Sequence, residues 1–205
     1  MRWIKCEFFA LFFAASTAFA APESAPWSTS LSIGYGSFSN MFQDDGRYAL
    51  LKLGFGKGIF EYKSTLFGLE LGVETGNTMR LDVSREILDQ LGGLPFQSRV
   101  KPIIDLLGTA RIPVRDSGVS VLLKAGAALR TWQFDRCSAD DRSVGDPEFQ
   151  AGFAWTINKH IFTHLTGRVI LGRKVTWFVD PSLDQLSISG MPNQYGILFG
   201  TTFLF

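Results

Sequence analysis

Reactive side chains are scarce in this sequence of 205 residues, which has two histidines and two cysteines. His164 and Thr166 stand two apart, so on a strand a base and a hydroxyl share one face, the pairing that activates a hydroxyl nucleophile. No neighbouring sequence supplies a group to orient that base, and His160 reads as a turn residue. Cys137 and the two histidines lie too far apart to close a metal site, no glycine-rich phosphate loop occurs, and no cofactor is implied. The larger chemical feature is a set of charges that alternate with apolar residues. Lys52, Arg111, Lys124, Arg130 and Arg168 share a face with Glu70, Glu74, Asp105 and Glu148, and His164 joins them. Enclosed charges must be paired, so this nearly balanced set predicts a salt-bridged network. A one-signed set would have predicted an ion-selective pore. Catalysis by His164 and Thr166 is the minor alternative, and the sequence is read as non-enzymatic.

A period of two in apolar residues specifies strands, and eight stretches show it. They run from Ser28 to Phe38, Tyr48 to Gly56, Thr65 to Glu74, Ile103 to Ile112, Val119 to Trp132, Glu148 to Ile157, Ile161 to Leu171, and Gln194 to Phe205. Phe149, Ala151, Phe153, Trp155 and Ile157 oppose Glu148, Gln150, Gly152 and Thr156; Thr65, Phe67, Leu69, Leu71 and Val73 oppose Gly68, Glu70, Gly72 and Glu74. Each stretch has about the 9–11 residues that a tilted strand needs to cross a bilayer. Within them the charges fall on the second face. A Lys or Arg on the other face at mid-membrane would cost about 2–4 kcal/mol. The expected fold is therefore all-β, an eight-stranded antiparallel up-and-down transmembrane β-barrel.

Residues 1–20 read as a cleaved signal peptide. Arg2 and Lys5 precede an apolar run from Phe8 to Phe19, and Ala18-Phe19-Ala20 offers a small-x-small cleavage site. Residues 21–205 then form one barrel domain. Cleavage lowers Lys plus Arg from 20 to 18 and Asp plus Glu from 19 to 18. The formally neutral remainder lacks the basic excess of a nucleic-acid surface, so no nucleic acid is expected as a partner. No later stretch approaches about 18 consecutive apolar residues, which excludes a helical membrane span. Cys137 is left unpaired, which in an oxidising compartment implies an exposed thiol or an intermolecular bond.

Connections of two lengths alternate. Lys57 to Lys63, Pro113 to Gly118, and Asn158-Lys159-His160 read as short turns. Ser39 to Arg47, Thr75 to Arg99, Gln133 to Pro147, and Gly172 to Asn193 read as long loops. Within the second loop, Asp82 to Leu91 predicts a short helix stopped by Gly92 and Gly93. Within the fourth, Val175, Trp177, Phe178 and Val179 predict an extension of the flanking strands, with an adhesive patch as the alternative.

The last twelve residues carry no charge and place Tyr195, Ile197, Phe199, Thr201, Phe203 and Phe205 on one face. Such a strand makes a hazardous soluble edge and suits a closed barrel in lipid. Gly200-x-x-Phe203-x-Phe205 resembles the carboxy-terminal assembly signal of bacterial outer-membrane β-barrel proteins, with Leu198 where the usual signal has a polar residue. From residue 21 to 205 the chain resembles the small eight-stranded barrels of the OmpA/OmpX type, without a following periplasmic domain. The resemblance implies a Gram-negative outer membrane, termini in the periplasm and long loops outside the cell. It implies as partners the outer-membrane lipids and lipopolysaccharide, the β-barrel assembly machinery, and an extracellular or host molecule met by the loops. It implies surface interaction or envelope integrity as the role, with a narrow pore as the alternative. Some barrels of this size modify lipid A, and His164-x-Thr166 weakly resembles the His-x-Ser pair of the deacylases, with Thr in place of Ser.

Overall fold

The structure is a computed structural model that describes residues 26–39, 47–80, 97–115, 117–134, 142–173, 176–178, 187–189 and 192–205. The segment expected as a signal peptide, Cys137 and the helix expected at Asp82 to Leu91 lie outside the described residues. The described residues include twelve strands. In chain order they are β1 (Trp27–Phe38), β2 (Arg47–Tyr62), β3 (Thr65–Glu74), β4 (Asn77–Arg80), β5 (Gln97–Val100) and β6 (Ile103–Pro113). There follow β7 (Val119–Phe134), β8 (Arg142–Asn158), β9 (Ile161–Ile170), β10 (Thr176–Phe178), β11 (Ser187–Ser189) and β12 (Gln194–Leu204).

Eight of these close a barrel. Each pairs antiparallel with its neighbours in the cycle β1, β2, β3, β6, β7, β8, β9, β12, and back to β1. Closure leaves no unpaired edge, which removes the hazard noted for the terminal strand. Strand β4 pairs with β5 and continues the β3–β6 hairpin, and β5 is also bonded to β7. Strands β10 and β11 pair antiparallel with each other in a separate two-stranded sheet and not with β9 or β12 among the described residues, so Trp177 and Phe178 do not extend the flanking strands as expected.

The alternation sorts the side chains as the sequence predicts. Leu31, Ile33, Leu53, Leu71, Phe153, Ile197 and Phe199 point outward and are exposed, whereas Leu50, Ile103, Leu107, Ile170 and Leu198 point inward and are buried. The first and last described residues and the short turns gather at one end, where Trp27 pairs with Lys57 and Phe203 with Ile161. The long connections leave from the other end.

Strand ends differ from the expectation in several places, and the loop expected at Thr75 to Arg99 holds the paired β4 and most of β5. Lys57 to Lys63 is not a turn: β2 runs on to Tyr62, and Lys57 pairs with Leu69 and Tyr62 with Thr65. A register shift between Gly58 and Phe60 marks a bulge. The turn itself is Lys63-Ser64, with both residues at positive φ, 47° and 66°, the backbone of a two-residue hairpin of the tightest kind. The glycines and charges of this segment resemble turn composition, yet cross-strand pairing continues through them. Lys57 consequently lies on the outward face, with its ammonium 4.7 Å from the centre of the Trp27 ring. At the opposite end β7 and β8 extend to Phe134 and back to Arg142, into the segment expected as loop. Hairpin partners satisfy each other's backbone there without an apolar face, so no hydrophobic signal marks the extension.

Candidate functional site

The inward face carries a polar array that runs most of the barrel's length. At the loop end, Arg130 donates through Nε to Asp146 Oδ2 at 2.9 Å and through Nη1 to the Pro192 carbonyl at 2.9 Å. Arg168 grips Glu74 with both terminal nitrogens, Nη1 on Oε2 and Nη2 on Oε1. Gln194 Nε2 donates to the same Glu74 Oε1 at 3.1 Å and bonds the Tyr48 hydroxyl. Such bidentate, charge-assisted bonds are the strongest of their kind. Above them Phe38 stacks on Tyr48 at 5.1 Å and meets Trp132 edge-on at 6.2 Å.

Mid-barrel, Lys52 joins three acids. Its Nζ is 2.9 Å from Asp105, 3.7 Å from Glu70 and 3.9 Å from Glu148. Glu148 also lies 3.9 Å from Arg168 Nε and accepts from Gln150 at 2.6 Å, linking the middle to the loop end. Lys124 then donates to both oxygens of Glu70, at 2.8 and 2.7 Å. Ion pairs thus succeed one another from Arg168 to Lys124 without a break. All of these charges are buried; Arg130, Asp146 and Glu148 are 0% exposed. Desolvation makes each member costly without its partners, and the register of strands far apart in sequence supplies them.

Of the ten residues expected in the network, eight are joined by these contacts: Lys52, Glu70, Glu74, Asp105, Lys124, Arg130, Glu148 and Arg168. Arg111 faces inward but makes no ion pair among the described residues; its guanidinium lies 5.0 Å from the centre of the Phe162 ring. His164 is buried, and its Nε2 lies 3.2 Å from Ser32 Oγ. Thr166 shares its face and is also buried, but its hydroxyl has no hydrogen-bond partner among the described residues. The hydroxyl beside the imidazole is therefore that of Ser32, and among the described residues Nδ1 has no hydrogen-bond partner to orient the ring.

Sequence reasoning missed Asp146, the partner of Arg130. It stands two residues before Glu148 and so shares its face, but the strand was expected to start at Glu148. Tyr48 and Gln194 were likewise missed as ligands of the network, because an uncharged polar residue at a strand end carries no distinctive pattern. The expected assembly-signal residues divide between faces. Phe203 and Phe205 are exposed on the outer wall, whereas Gly200 lies inward, where an added Cβ would collide with Ser32 Oγ and come within 2.7 Å of His164 Nε2. Glycine is required there because its neighbours already fill the lumen.

No protein-family model matches the sequence, and no curated protein matches it. Solved structures match in fold. The outer membrane protein OprG from Pseudomonas aeruginosa superposes with a TM-score of 0.55 at 12% identity, over 89% of this chain and 96% of that one. Neisserial surface protein A superposes with a TM-score of 0.53 at 9% identity, over 87% of this chain and 97% of that one. The chain has the fold of the small eight-stranded outer-membrane β-barrel proteins.

Proposed function

We propose that this chain is a non-enzymatic protein of the bacterial outer membrane, its lumen plugged by ion pairs. Its termini lie in the periplasm, and its long loops face outward for surface interaction or envelope integrity. The observation that carries this reading is the division of the barrel wall. A closed ring of strands exposes apolar side chains outward and encloses paired charges. That division suits a lipid exterior and leaves little free volume in an eight-stranded interior. Aromatic residues gather at the end with the short turns: Trp27 with Lys57 over its ring, and Tyr62 with Lys63 5.3 Å from its centre. Aromatic and basic side chains of this kind anchor a barrel at the headgroup level.

On this reading outer-membrane lipids and lipopolysaccharide cover the wall, and the assembly machinery reads Gly200, Phe203 and Phe205. An extracellular or host partner is met by the loops. The enclosure of His164 and Thr166 keeps them from lipid on the outer wall, which supports a non-enzymatic role. Single-channel recording on the refolded chain in a planar bilayer, with heat-modifiable gel mobility to show folding, tests the plug. Folded protein without discrete conductance is expected; reproducible ion-selective steps would replace this reading with a narrow pore.

A further inference from the structure

We propose that the mouth of the barrel at the chain-terminus end binds a small oxyanion, a carboxylate or phosphate group, on the guanidinium of Arg111. A cleft of about 60 Å³ lies there, with Arg111, Lys124, Ser28, Thr109, Phe162 and Thr202 among its lining residues. Its floor is already neutralised, because Lys124 is bonded to both oxygens of Glu70. Lys57 also borders the cleft but sends its ammonium outward over Trp27. Among the described residues of the lining, the base without an ion pair that faces inward is Arg111, with the exposed Glu61 acting on it from beyond ion-pair distance. One face of its guanidinium is covered by the Phe162 ring, and it makes no hydrogen bond or ion pair among the described residues. A guanidinium has five N–H donors and no acceptor, so its free edge presents an array of unmatched donors to the cleft.

The walls add hydroxyls rather than acids. Ser28 Oγ stands 2.7 Å from where a Cβ on residue 56 would sit, and Thr109 Oγ1 stands 3.0 Å from that of residue 68. Glycine at both positions keeps these hydroxyls free of a wall atom. A positive fork and hydroxyl donors match a planar carboxylate or one edge of a phosphate; the acid that acts on Arg111 from among the described residues, Glu61, is exposed and makes no ion pair with it. The site does not depend on whether the lumen above it conducts, since Glu70 and Lys124 lie between the two.

The test is side-chain and amide NMR of the refolded chain in nanodiscs. Sodium acetate, sodium phosphate and sodium chloride are titrated separately at matched ionic strength. The reporters are the Arg111 Nε–H signal and the amides of Gly68 and Thr109. A saturable shift with acetate or phosphate and none with chloride is expected, half-complete at about 10 mM for a single charge-assisted contact. Acetate alone or phosphate alone identifies which oxyanion is bound. Arg111→Gln should weaken the response of the two amides by about tenfold or more, and Thr109→Val by less, with heat-modifiability unchanged in both. Equal responses to all three salts, or amide shifts that survive Arg111→Gln in folded protein, would overturn the proposal. Should Arg111→Gln fail to fold, Arg111→Lys decides by the same criterion, since a lysine keeps the charge and loses the fork.

Discussion

Glu74 receives both terminal nitrogens of Arg168 and the amide of Gln194, all inside the barrel. Removing its charge leaves Arg168 buried with only the distant Glu148 for compensation. Glu74→Gln should therefore destabilise the folded barrel by about 3–5 kcal/mol, measured as a lower urea midpoint for the heat-modifiable band. The double variant Glu74→Leu with Arg168→Met removes both charges and should recover most of that loss, because a well-packed apolar pair is often as stable as the ion pair it replaces. Gly200 is governed by contact rather than charge. Gly200→Ala should cost about 1–3 kcal/mol by overpacking, and adding Ser32→Gly, which clears one of the colliding atoms, should return part of it. A double-mutant cycle on unfolding free energy measures the coupling; strict additivity would mean that the Cβ and Ser32 Oγ do not compete for the same space.

At the scale of the strand, alternation decides what a substitution does. Leu69 and Phe153 lie on the exposed outer face, so Phe153→Arg should cost about 2–4 kcal/mol towards mid-bilayer and block assembly, and Leu69→Arg should cost less, since its cross-strand partner is Lys57. Lys57 already occupies the same face beside Trp27 at the rim, and Lys57→Arg should be silent. Normal heat-modifiable folding of the Phe153 variant would invert the assignment of inside and outside. The Lys63-Ser64 turn holds two non-glycine residues at positive φ; replacing them with Asn-Gly should stabilise the hairpin by about 1 kcal/mol, read as a higher urea midpoint. These cases also show what the sequence could reveal. The face of each membrane-crossing residue was legible because a period of two is enforced by lipid on one side. The ends of β2, β7 and β8 were not, since beyond the bilayer pairing continues without an apolar requirement. The inward charges were legible as a set, but their pairing was not. Arg130 with Asp146, and Lys52 with Asp105, depend on the stagger of the closed barrel, which no local pattern encodes.

For the molecule as a whole, the question is whether the ion-pair array is a seal. Lys52 sits where the array is most connected, within 3.9 Å of three acids, and its buried side chain projects into the middle of the lumen. Removing Lys52 alone would strand buried carboxylates and unfold the barrel before it opened it. Removing Lys52 and Asp105 together keeps the charge balance, deletes two inward side chains and leaves the outer wall untouched. On the proposed reading, the unaltered chain shows no discrete conductance, whereas the double variant Lys52→Ala with Asp105→Ala, folded by gel mobility, gains small reproducible steps. A gain on that background means that side chains, and not the diameter of the backbone ring, close the path. If both proteins are silent, Glu70 with Lys124 and the aromatic group of Phe38, Tyr48 and Trp132 form further barriers in series, and each can be opened in turn. If the unaltered chain already conducts, ions pass beside the network, and its charges set selectivity instead of closure.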